Sequence, residues 1–123
     1  MSKETSARDA LRASLLGKKK RASRMMDLGD GITVEIRQPT VGARSRIMQA
    51  AGVTAGSQEI SDLAALQISA VVHCCFVPET SERIFEAADS DVLRELPTNE
   101  WFDDVSAAAL DLMNAEPEKA GKL

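Results

Sequence analysis

The chain has 123 residues, a length suited to one domain, with 44% hydrophobic and 28% charged residues and a net charge of −4; that is enough apolar side chain for a core and too much for a wholly disordered chain. Eighteen of the apolar residues are Ala and only four are aromatic, Phe76, Phe85, Trp101 and Phe102, a composition that favours helices and leaves little for carbohydrate or base-stacking pockets. Charge is divided along the chain: residues 1–24 hold eight basic against two acidic residues, net +6, and residues 25–123 hold seven against seventeen, net −10, which argues against a nucleic-acid-binding body because phosphate contacts need clustered positive charge.

Residues 5–16 carry a weak helical stripe at Ala7, Leu11 and Leu15, with Gly17 placed to stop it. Three apolar positions bury too little to hold an isolated helix of this length. The run Lys18-Lys19-Lys20-Arg21 repels itself, so the segment is expected to be mobile until a partner orders it. Asp27-Leu28-Gly29-Asp30-Gly31 is turn chemistry. Ile32, Val34 and Ile36 then alternate with Thr33, Glu35 and Arg37, the period of a half-buried strand ended by Pro39. A lone strand leaves backbone groups unpaired, so it requires a partner in this chain or in another subunit.

Thr40 can cap a helix over 41–51 that turns Val41, Ile47, Met48 and Ala51 to a core, with Gly52 closing it. The longest element is expected over about 58–76. There Ile60, Leu63, Ala64, Ile68, Val71, Cys74 and Cys75 share one face, and Asp62, Ser69 and His73 lie opposite. Residues 75–77 and 83–85 can pair as a small hairpin, with a plain loop as the alternative. Ser90 is placed to cap a brief helix carrying Val92, Leu93 and Leu96, stopped by Pro97. Thr98 is placed to cap a last helix over about 99–114 with a stripe of Trp101, Phe102, Val105, Ala108, Ala109 and Leu112. Residues 115–123 contain Pro117 and no apolar pattern, and read as a flexible tail.

The expected architecture is a mainly α, small helical domain of about four helices, with a short strand or small β element near 31–37 and a second near 83–85. Residues 1–24 form a basic arm, 25–114 a single helical domain, and 115–123 the tail. No apolar run reaches the roughly 18 residues of a membrane span, no signal-peptide core is present, and two adjacent cysteines make no disulfide framework. A cytoplasmic protein with no membrane role is expected.

Little in the chain can build an active site. His73, Cys74 and Cys75 are contiguous, but on a helix His73 points away from both cysteines and no other Cys or His exists to complete a zinc site. The cysteines read as core residues. Nucleophilic catalysis needs a base, and His73 has no oriented Ser–Asp pair at helical spacing. The acid pairs Asp103–Asp104 and Asp89–Asp91 read as solvated faces, and Gly29-Asp30-Gly31 lacks the remainder of a phosphate loop. No catalytic residue, cofactor or metal is expected.

Several spacings carry a resemblance: Pro39-Thr40-Val41-Gly42 leading from strand to helix, then Phe85, Asp89, Leu93, Leu96 and Pro97 before a closing helix, and Leu112 with Asn114 at its end. Over about residues 30–114 this resembles the short tail assembly chaperones of long-tailed bacteriophages and prophages. The resemblance implies a non-catalytic protein of the bacterial host cytoplasm. It would bind the long helical tape measure protein and help recruit tail tube subunits. Separately, the charge division lets the basic arm meet an acidic partner, another copy of the body included, which leaves self-association open. Candidate partner-binding residues are Met25, Met26, Trp101, Phe102 and Met113, with core packing the competing reading for the two aromatics. The basic arm, Lys18, Lys19, Lys20, Arg21 and Arg24, has no interleaved aromatics, so nucleic acid is a poor candidate partner for it. Two other readings stay open: a structural tail or head-completion protein of the virion, and a small nucleic-acid-associated regulator acting through the arm.

Overall fold

The computed structural model describes residues 3–57 and 59–114, with side chains from Ser6 onward. The tail expected over 115–123 lies outside the described residues. In chain order these comprise α1 (Lys3–Leu16), β1 (Ser23–Gly29), β2 (Ile32–Arg37), α2 (Val41–Ala50), α3 (Leu63–Cys74), β3 (Cys75–Phe76), a 3-10 turn (Ala87–Asp89), α4 (Ser90–Arg94) and α5 (Trp101–Met113). The result is an α-rich domain with a small antiparallel sheet, in the order β1-β2-β3.

The strand at 32–37 finds its partners within the chain. Asp30 and Gly31 both adopt positive φ, 54° and 76°, the geometry of a two-residue hairpin turn whose twist matches its strands. The turn folds Ser23–Gly29 back as β1, with Met26 opposite Val34 and Arg24 opposite Ile36. β1 gave a weak signal because its alternation of Arg24, Met26 and Leu28 is poor in β-branched residues and follows a charged run. On the other side β3 pairs Cys75 with Ile36 and Phe76 with Glu35. The small hairpin at 75–85 is present as a Phe76–Arg83 bridge, with the Ile84 N–H donating to the Cys75 carbonyl.

Thr40 caps α2 by accepting from the Ala43 N–H, and Ile47 and Ala51 are fully buried. Val41, expected in the core, is 77% exposed, because α2 packs chiefly against α3 and buries only the turn around Ile47. The central helix is also shorter than the apolar stripe suggested. Asp62 is held extended and caps α3 by accepting from the Ala65 N–H, while the Ser61 and Asp62 N–H groups both donate to the Ala51 carbonyl. That return to α2 ends the helical register, so Ile60 and Leu63 are exposed rather than buried. Gln58, the expected start, lies outside the described residues.

α3 packs against α2, α4 and α5, and α5 also lies against β2 and β1. The core is built from Leu66, Ile68, Val71 and Val72 of α3, Val34 and Ile36 of the sheet, and Phe102, Val105, Ala109 and Leu112 of α5. Ser90 is not the cap of the short helical segment. Glu86 and Asp89 exchange side-chain and backbone bonds across the turn as a capping box, and Ser90 donates back to the Ala87 carbonyl. Val92 is exposed, leaving Leu93 and Leu96 to pack inward. The last helix starts at Trp101 and not near Thr98, because Asn99 sits at φ 62° and its N–H donates to the Asp103 carboxylate.

Candidate functional site

The sheet extends past the cover that α5 provides, and the gap is a groove of about 1030 Å³. Side chains alternate along strands, so Met26, Val34 and Cys75 face the groove while Met25, Glu35 and Phe76 face the other way. Met26, Leu28, Val34, Phe85, Trp101 and Ala108 make its apolar surface. Its rim carries Asp27, Asp30, Glu100, Asp104 and Asp111, all exposed, against the single basic residue Arg24. On α5 the spacing Trp101, Asp104, Ala108, Asp111 places four of these on one helical stripe. A binding surface with an apolar floor and an acidic rim suits an amphipathic helix with basic flanks.

The aromatic wall is ordered by stacking. Trp101 stacks on Phe85 with centroids 5.9 Å apart and planes at 12°, and meets Phe102 edge-on at 6.0 Å. Adjacent on one helix, Trp101 and Phe102 diverge by about 100°. Trp101 is half-buried in the groove wall, while Phe102 is 8% exposed and belongs to the core. Met113 is likewise core. Met26 is half-buried in the groove floor, and Met25 is exposed on the opposite sheet face. Thus Met26 and Trp101 share one site, and Met25, Phe102 and Met113 do not join it. Leu28 and Asp111 are groove residues that sequence reasoning passed over, while Phe85 entered it through the resemblance and Asp104 as part of a solvated face. The α5 spacing was the one signal available for the two acids.

The basic arm divides as well. Lys18, Lys19 and Lys20 are exposed, and Arg24 lies in β1 at the groove. Arg21 donates from Nε to the Gln38 carbonyl at 2.8 Å and sets its guanidinium 5.6 Å from the Phe76 ring centre. Arg37 lies over the same ring at 4.6 Å and bridges the Glu35 carboxylate and the Thr80 carbonyl. Glu35 also accepts the Glu79 N–H at 2.8 Å. These bonds, Arg37 first, hold the Glu35 carboxyl below its ordinary range and pin the 77–83 loop to the sheet.

Cys74 and Cys75 are buried free thiols, pushed up by burial to about 12 and about 11. At neutral pH both are therefore protonated and unreactive. His73 accepts at Nδ1 from the Arg83 guanidinium at 3.0 Å, which makes Nε2 the protonated nitrogen. Burial, then Arg83 and Arg46, lowers its affinity for a proton. Among the described residues no group of three or more His, Cys, Asp or Glu side chains could hold a metal ion, and no helix is long and apolar enough to cross a membrane.

A pH effect follows. The unfolded chain binds a proton on His73 more readily than the folded one, so stability is expected to fall as pH drops through the ordinary value of 6.5. Glu35, whose folded affinity is depressed, contributes stability above its ordinary 4.5 that is lost at more acidic pH. Urea unfolding between pH 7.5 and 5 should show the first slope, and His73→Gln should flatten it while leaving the acid limb. A slope unchanged by that substitution would assign it to other groups.

No family model matches the chain, and no curated protein matches it. Among solved structures, the tail assembly chaperone of bacteriophage HK97 matches with a TM-score of 0.55 at 17% sequence identity, over 84% of this chain and 98% of that one. The chain therefore has a tail-assembly-chaperone-like fold, which is the fold that the sequence resemblance implied.

Proposed function

We propose that the protein is a non-catalytic phage tail assembly chaperone that binds a tape measure protein in the bacterial host cytoplasm and helps recruit tail tube subunits. The observation that carries this reading is the groove between the sheet and α5, whose apolar floor and acidic rim fit an amphipathic helical client. The likeness to the HK97 chaperone supports a tail assembly role. Transient holding of a helical client needs apolar surface that is accessible and adaptable, and Met26 and Leu28 supply flexible side chains for it.

The test is co-expression with the tape measure protein encoded in the same genome, followed by affinity capture. The wild-type chain is expected to keep the client soluble and to retain it. Trp101→Ala together with Met26→Ser should abolish retention while the chain stays folded by circular dichroism. Failure of the wild-type chain to hold the client, or full retention by the double variant, would reject this assignment of the groove. Recovery of the chain in finished particles at fixed copy number would make it a structural tail component instead.

A further inference from the structure

We infer that, before any client arrives, the groove receives helix α1 from a second copy of the chain. The two surfaces are complementary and both are unpartnered within one chain. Every described side chain of α1, Ser6–Leu16, is exposed, including Leu11, Leu15 and Leu16 at 63–66%. A 14-residue helix standing free is marginal in water and leaves its leucines wet, so α1 gains most by lying on an apolar surface. Beside the Leu11–Leu15 stripe, Arg8 and Arg12 repeat at the same four-residue spacing and flank it, and Lys18–Lys20 follow. The groove offers the converse, with the half-buried Trp101, Met26 and Leu28 as apolar surface and the carboxylates of Asp104 and Asp111 along α5 beside it.

The anchoring of the linker favours a second copy over the chain's own helix. Arg21 is tied to Gln38, and its side chain lies over Phe76, on the sheet face opposite the groove. Only Gly17–Lys20 separate that anchor from α1, a reach of about 14 Å that would have to turn round the β1 edge. No such restriction applies to the groove of a neighbouring molecule. The pairing is between different surfaces, so it can close reciprocally as a dimer or propagate as a chain. A client helix would compete with α1 for the same site, which keeps the groove covered until it is needed.

This inference concerns the protein alone, so its failure is separable from failure of client capture. The experiment is sedimentation velocity on the full chain and on two charge-reversed variants, one carrying Arg8→Glu and Arg12→Glu, the other Asp104→Lys and Asp111→Lys. Circular dichroism confirms that each is folded. The wild type is expected to associate beyond the monomer by about 100 µM, each variant to associate at least about tenfold more weakly, and their equimolar mixture to recover association. In the mixture the unreversed helix of one variant meets the unreversed groove of the other, and the reversed helix meets the reversed groove, so complementary contacts return that neither variant can make with itself. A monomeric wild type, variants that associate as the wild type does, or a mixture that stays monomeric would each overturn the inference.

Discussion

Phe102→Ala is expected to lower the unfolding free energy by about 3–5 kcal/mol, the usual loss for an aromatic side chain removed from a core. Phe102 is 8% exposed and shares its surroundings with Ile68 of α3, Leu93 of α4 and Leu96 just beyond it, so its removal leaves a cavity between elements. A domain of this size is stable by about 5–15 kcal/mol, so the variant should be marginal. Trp101→Ala is the informative contrast. Its ring is half-buried, its principal partner is Phe85, and its other side faces the groove. The stacked pair is worth about 0.5–1.5 kcal/mol beyond burial, so a loss near 2 kcal/mol is expected, with the greater effect on client retention. Urea unfolding of both variants, read beside affinity capture, separates the two roles. Equal destabilisation would make Trp101 a core residue and remove the groove's wall from the binding argument.

Gly52→Ala should be nearly as damaging, for a different reason. Gly52 closes α2 at φ 87°, and a Cβ there would stand 1.9 Å from the Ser61 Oγ and 3.1 Å from its Cβ. Ser61 is not free to retreat, because its N–H and hydroxyl both donate to the Ala51 carbonyl. The substitution therefore combines a backbone penalty of about 1–2 kcal/mol with a steric one of similar size, about 2–4 kcal/mol together. Pairing it with Ser61→Gly should recover the steric part and leave the backbone part. Thermal unfolding of the single and double variants tests this. If the double variant is no more stable than Gly52→Ala, the clash is not what destabilises the chain, and the α2–α3 junction is held some other way.

Both predictions lie where local sequence and tertiary packing meet, and they show how far each could be read. The closing glycine of α2 and its Thr40 cap were visible because capping is settled within four residues of chain. The alternation Ile32, Val34, Ile36 announced β2 for the same reason. The tail-chaperone-like fold was also within reach of the order of caps, breakers and apolar stripes in this chain, and the structural match holds at 17% identity. The site was less accessible. Trp101 and Phe102 are neighbours of like chemistry, and only the packing of α5 against α3 decides that one is core and the other a groove wall.

The amino-acid order alone specified an α-rich chain with a basic start and an acidic body, and where most of its helices stop, because propensity, capping and charge act over a few residues. It also determined that α1 has too few apolar positions to hold itself. Which apolar residues are buried was decided by packing. Val41, Ile60, Leu63 and Val92 fit their helical stripes yet lie in water, because each stripe is covered only where another element crosses it. The groove that the sheet leaves beside α5 depends on residues about 70 positions apart meeting in space, as Val34 and Trp101 do. Local periodicity carries no information about that meeting, so the surface on which the proposed function rests exists only in the folded chain.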